Sequence, residues 1–149
     1  MRAKFTDDLK VAMKAGDKRR VDAIRLINAA LKDRDIAARG EGKTVSDEDI
    51  LALLQKMIKS RQESLEIYEK NGRPELAETE RSEIAVISSY LPVQMDDAAV
   101  ADAIKAAIGE TGAASIKDMG KVIGALKGKY AGQMDFAKAS AAVKAALAG

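Results

Sequence analysis

Apolar positions recur along this chain at the three- and four-residue spacing of a helix face, and no run alternates in the two-residue period of a strand. In the first segment Phe5, Leu9, Ala12 and Met13 share one face, and Ala15 to Asp17 ends it, predicting a helix over 3–15. Asp17 then suits the N-cap of a second helix reaching about Arg39, with Val21, Ile24, Ile27 and Leu31 inward and Asn28 nearly so. The loop through Gly40 and Gly42 separates it from a third helix. That helix is capped by Ser46, with Asp47, Glu48 and Asp49 complementing the positive end of its dipole. Its apolar face runs through Ile50, Leu53, Leu54, Met57, Leu65 and Tyr68 to Gly72 and Pro74, which suit a left-handed stop and the first turn of a fourth helix. Leu76, Ile84, Ile87 and Leu91 of this fourth helix are placed toward the third, and Pro92 ends it. Residues 46–91 therefore read as a long antiparallel hairpin.

Beyond "LPVQMDD" the composition turns richer in Ala and Gly, and three shorter helices follow over roughly 97–109, 115–130 and 135–147, the first capped by Asp96 or Asp97. The expectation is an all-α chain of seven helices. Residues 1–92 form an N-terminal helical domain containing the hairpin, and residues 93–149 a small three-helix module. The start, "MRAKFTDDLK", has no apolar leader and no segment has the length of a membrane span, so a cytoplasmic protein without membrane contact is expected.

Composition narrows the chemistry. There is neither histidine nor cysteine, which removes the usual zinc and haem ligand sets, thiol chemistry and every His-based triad. The acidic start of the third helix is no EF-hand, because Ala52 and Ile58 stand where that loop needs Gly and Glu. The glutamates of the fourth helix, Glu75, Glu78, Glu80 and Glu83, lack the histidines of a di-metal bundle and are expected as a solvated face neutralised by Lys56, Lys59 and Arg61. No catalytic residue, metal site or cofactor-binding residue is nominated.

Charge and glycine together single out the sixth helix. Residues 115–149 carry six lysines against two aspartates. Along "SIKDMGKVIGALKGK" the residues Ile116, Met119, Val122, Ile123, Leu126 and Tyr130 gather into one apolar stripe, with Ser115 as cap and Asp118 completing a capping box. Gly120, Gly124 and Gly128 fall on a neighbouring arc with Lys117, Lys121 and Lys127, and Lys129 lies beyond them. Each Gly costs about 1 kcal/mol against Ala in a helix interior. Two readings offset that cost: another helix packs closely on the small residues, or a sugar-phosphate backbone lies on the bare surface while the lysines meet its phosphates. Without aromatics on this face, such a contact would follow shape rather than stacked bases.

The segments "AMKAGDKRRVDAIRLINAALKD", "RPELAETERSEIAVISSYLPVQM" and "GAASIKDMGKVIGALKGKYAGQMDFAKASAAVKAAL", with "YLP-x-Q" and "DMGKV" in that order, resemble the GatB/YqeY family over essentially the whole chain. The resemblance implies that the C-terminal module is similar to the tail of the B subunit of glutamine-dependent aminoacyl-tRNA amidotransferase, which contacts tRNA. It would place Asp118, Met119, Gly120, Lys121 and Val122 in an RNA-facing module, with Lys117, Lys127 and Lys129 as further phosphate contacts. The B subunit's catalytic cradle has no counterpart, and "ISSYLP" offers two serines without the amidase's lysine or Gly-rich context. Three functions follow as expectations: a non-catalytic accessory protein that binds tRNA, with "DKRR" at Asp17 to Arg20 extending its footprint; an adaptor presenting the acidic hairpin to a protein; or a component linked to a glutamine-dependent carbon–nitrogen ligase. Amidotransferase or synthetase components are the protein partners implied.

Overall fold

The computed structural model describes residues 1–148. They form seven α-helices and no strand: α1 Arg2–Ala15, α2 Lys18–Gly40, α3 Asp47–Lys70, α4 Pro74–Ser88, α5 Asp97–Thr111, α6 Met119–Tyr130 and α7 Phe136–Ala148. A 3-10 turn, Ile116–Asp118, precedes α6. The all-α expectation holds. No helix among the described residues is long and apolar enough to cross a membrane. Packing divides the chain into two compact units, Met1–Leu91 and a second that begins at Pro92.

Helix starts follow the side chains that satisfy otherwise unpaired N–H groups. Asp17 accepts from Arg20 N at 3.2 Å. Ser46 and Asp49 form a reciprocal box, Asp49 N donating to Ser46 Oγ at 3.1 Å and Ser46 N to Asp49 Oδ2 at 2.9 Å. These bonds, the backbone one foremost, hold the Asp49 carboxyl below the ordinary Asp range. Asp96, rather than Asp97, caps α5 through Ala99 N at 2.7 Å. Gly72 takes the left-handed conformation (φ 64°) that ends α3, and Pro74 opens α4.

The core of the first unit is built from Phe5, Ile24, Ile27, Leu31, Ile50, Leu54, Met57, Ile87 and Tyr90. α3 and α4 pack along each other, with Arg61 on Glu83 at one level and Arg81 on Glu69 nearer the turn, so the two helices run antiparallel. Two positions expected inward face solvent. Met13 is exposed at the end of α1, and Leu76 is 46 % exposed while Ala77 takes the buried place beside it. The acidic face of α4 is met differently from the expectation as well: Arg61 does hold Glu83, but Glu78 is reached by Arg81 of its own helix and Arg19 of α2.

α4 ends at Ser88, before Pro92 as expected, and passes into turns in which Tyr90 N donates to Ile87 O and Leu91 N to Ser88 O. Tyr90 folds into the core, meets Phe5 edge-on with ring centroids 4.8 Å apart, and donates its hydroxyl to Asp8 Oδ2 at 2.5 Å. Burial first, and then the Asp8 carboxylate, push the Tyr90 phenol up to about 12, so it stays a donor throughout the physiological range.

The second unit packs Ala103, Ile104 and Ala107 of α5, Val122 and Leu126 of α6, and Ala139 and Val143 of α7 around Met134. Its leading segment is tied to the turn between α6 and α7. Gln94 Nε2 donates to Gly132 O at 2.6 Å and to Pro92 O at 3.0 Å, and Met95 N donates to Gln133 O at 2.9 Å. Tyr90 and Gln94 thus give the "YLP-x-Q" stretch its structural meaning, each anchored inside its own unit.

Candidate nucleic-acid interface

α6 is positioned from its N-terminal side by one carboxylate. Asp118 Oδ2 accepts from Ala114 N at 2.9 Å and Ser115 N at 3.3 Å, which winds Ile116–Asp118 into a 3-10 turn instead of a first α-helical turn. The predicted helix over 115–130 is therefore split, and Lys117 belongs to the tighter turn. Those two backbone bonds, aided by Lys121, keep the Asp118 carboxyl below its usual range, so it remains an anion beside the lysines.

Val122 and Leu126 are fully buried against α5 and α7, with Met119, Ile123 and Tyr130 half-buried at the edges of the same stripe. Ile116, expected in the stripe, is 44 % exposed because the 3-10 turn rotates it out of register. The opposite face carries Gly120, Gly124, Gly128, Lys121 and Lys127, all exposed; Lys129 is exposed at its flank, and Lys117 is exposed in the turn that leads into it.

The surroundings of the three glycines bear on the packing reading of this face. A Cβ built on Gly120, Gly124 or Gly128 meets nothing within 4 Å. Nor does any of them adopt positive φ; the glycines that do are Gly16, Gly42, Gly72, Gly112 and Gly132. Within the second unit the bare face is not a packing surface, and its glycines serve neither a turn nor a close helix contact.

The lysines are equally uncommitted. Among the described residues no carboxylate forms a salt bridge with Lys117, Lys121, Lys127 or Lys129. Lys129 lies 5.8 Å from the Tyr130 ring centroid, a cation–π contact at the helix end. An ammonium group without an ion-pair partner, in water beside a helix surface stripped of side chains, is available to a phosphate.

The other basic cluster is largely spent. In the "DKRR" stretch Asp17 is a cap, Arg19 lies on Glu78 at 3.3 Å and Ser82 at 2.7 Å, and Arg20 is 3.7 Å from Asp8. These are bonds that hold the first unit together. Sequence reasoning had no means of finding them, since Arg19 and Glu78 are 59 residues apart.

The YqeY-like protein family model matches residues 2–147 of this chain. Among curated proteins, "Altered inheritance of mitochondria protein 41, mitochondrial" from Lachancea thermotolerans is 38 % identical over 89 residues, 60 % of this chain and 46 % of that protein. The protein of the same name from Saccharomyces cerevisiae (strain S288c) is 32 % identical over 84 residues, 56 % of this chain and 44 % of its own length. That from Eremothecium gossypii is 32 % identical over 89 residues, covering 60 % and 48 %. The matched stretch thus spans about half the length of these relatives.

Their names correct the cytoplasmic expectation, because the matching relatives are mitochondrial proteins. That expectation rested on the lack of an apolar leader, whereas segments that direct import into mitochondria are amphipathic and Arg-rich and carry no apolar leader to find. The match to the family model runs through both units and takes in both the "YLP-x-Q" stretch and α6. The chain belongs to the YqeY-like protein family.

Proposed function

We propose that this protein is a non-catalytic RNA-binding accessory protein, with tRNA as its target, and that α6 meets the phosphate backbone. The observation that carries the reading is the face itself: three helical glycines open to solvent at Cβ, beside four lysines without salt-bridge partners. Retaining three helix-weakening residues where nothing packs is a cost in stability that a close-approaching backbone would offset. A second copy of the same face is a poor occupant, because pairing would bring two sets of lysines together with only Asp118, already held by the Ala114 and Ser115 amides, to offset them. A polyanion suits it on both counts.

The adaptor reading draws less support. Glu69 and Glu78 are engaged by Arg81, and Glu83 by Arg61, so much of the hairpin's acidic charge is answered within the unit. In "ISSYLP" Ser89 Oγ donates to Val86 O at 2.5 Å, the habit of a serine at a helix end. A link to the amidotransferase rests on the resemblance of the C-terminal module alone and is subordinate to tRNA binding in this proposal.

The test is the affinity of the purified chain for bulk tRNA across a salt series, with a length-matched RNA duplex as control. Four lysines meeting phosphates give a slope of log K against log salt of about −3 to −4. Salt-sensitive binding that favours tRNA supports the proposal. No binding at low salt, or binding indifferent to salt, contradicts it.

A further inference from the structure

The buried face of α4 carries a carboxylate. Ala77, Ile84 and Ile87 face inward from this helix, Ala77 and Ile87 fully buried, and Glu80 stands between them at three- and four-residue spacing. Its Oε2 is sealed from solvent and accepts no hydrogen bond. An acceptor left in that condition is destabilising, and an ionised one more so.

The cations near it are occupied. Arg61 of α3, itself only 17 % exposed, donates Nε to Glu83 Oε2 at 2.9 Å and Nη1 to Met57 O at 3.1 Å. From α2, which also packs on α4, Arg19 is held by Glu78 and Ser82. Glu83 lies within one turn of Glu80 on α4 and adds a like charge. Two carboxylates therefore share the surroundings of one guanidinium, whose hydrogen bond goes to Glu83.

We infer that Glu80 is a proton-sensitive pin in the α3–α4 hairpin: neutral, it lets α4 seat fully on α3 and α2, and ionised, it loosens that seat. Burial, with Glu83 adding to it and Arg61 opposing, moves its titration above the ordinary carboxylate range. The sign of the linkage follows. An acid whose folded pKa is raised holds its proton longer in the folded state than in the unfolded chain. Its stabilising contribution is complete below the unfolded value of about 4.3 and is lost as pH rises through the folded value. Above that folded value the hairpin carries the burden of the charge.

The experiment is a carboxyl-carbon NMR titration of the full chain, with the Glu80 resonance assigned by its disappearance in Glu80→Gln. Denaturant unfolding of the wild type, Glu80→Gln and Glu80→Met is followed over the same pH range. The expected midpoint for Glu80 lies above the usual Glu value. The folded-to-unfolded ratio of the wild type, relative to either variant, should fall by up to tenfold for each pH unit of that elevation. Both variants should be the more stable proteins above the Glu80 midpoint, and Met tests whether an uncharged side chain suffices without the amide. A Glu80 midpoint at or below the ordinary value, or variants that track the wild type at every pH, overturns the inference.

Discussion

Reversing Lys117, Lys121 and Lys127 to glutamate is expected to weaken tRNA binding by about a hundredfold or more, since each lost hydrogen bond between charged groups is worth about 1.5–3 kcal/mol and each new carboxylate repels a phosphate. The salt slope should shrink at the same time, from about −3 to −4 to about −1, because three of the four neutralised phosphates are gone. Folding should survive. All three side chains are exposed and none makes an ion pair that the fold uses. The structural penalties are a carboxylate in the last turn of α6, where Lys127 complements the helix dipole, at roughly 0.3–1 kcal/mol, and the loss of the attraction of Lys121 for the Asp118 carboxylate. Electrophoretic mobility shift with unchanged far-ultraviolet circular dichroism checks this. Binding that survives the triple reversal would place the RNA elsewhere.

The second large effect has two parts of opposite sign. Changing Gly120, Gly124 and Gly128 together to alanine should stabilise the protein, because each Cβ enters open space on a helix whose glycines have ordinary φ. Gly120 is in the first turn and Gly128 in the last, so the sum falls short of three interior substitutions and comes to about 1–2.5 kcal/mol. In a unit of this size that is a rise in melting temperature of roughly 5–15 °C. Three methyl groups would also hold a backbone off the helix surface, and affinity for tRNA should fall by roughly tenfold, about 1.4 kcal/mol. Calorimetry and the binding assay are run on the same preparation. More stable protein with undiminished binding would mean that nothing approaches this face closely; a less stable protein would mean that the glycines have a structural role.

Much of the fold could be read from local signals. Asp17, Ser46 and Asp96 mark helix starts because their side chains reach N–H groups three residues on, a relation written in consecutive residues. Gly72 and Pro74 mark the α3–α4 turn for a similar reason. Contacts between residues distant in sequence were not legible: Tyr90 is claimed by Asp8, 82 residues away. Leu76 faces solvent where periodicity placed it inward, its neighbour Ala77 taking the buried position. The 3-10 turn before α6 is a local feature, but Asp118 bonding to Ala114 as well as Ser115 is what tightens it, and a capping-box pattern does not distinguish the two outcomes.

The candidate face was legible in composition and ambiguous in meaning. Glycines spaced by four look the same whether a helix packs on them or nothing does, because both situations tolerate a missing side chain. Only the three-dimensional surroundings of Gly120, Gly124 and Gly128 separate the cases. The basic "DKRR" stretch shows the converse: it reads as an available patch, yet Arg19 and Arg20 are tied to Glu78, Ser82 and Asp8. A lysine or arginine in a sequence carries no mark of whether its charge is already answered. Glu80 was grouped with a solvated acidic face for the same reason, although one of its oxygens is sealed in the hairpin.

The most direct test of where RNA lands is a set of amide nitrogen–proton NMR spectra of the labelled full chain, recorded as tRNA is added. If the backbone lies on α6, the amides of Gly120, Gly124 and Gly128 should shift or broaden first, together with those of Lys117, Lys121, Lys127 and Lys129, while Val122 and Leu126 on the buried side change less. Perturbations confined to other helices, with the three glycine signals unmoved at saturation, would contradict the assignment of this face to RNA.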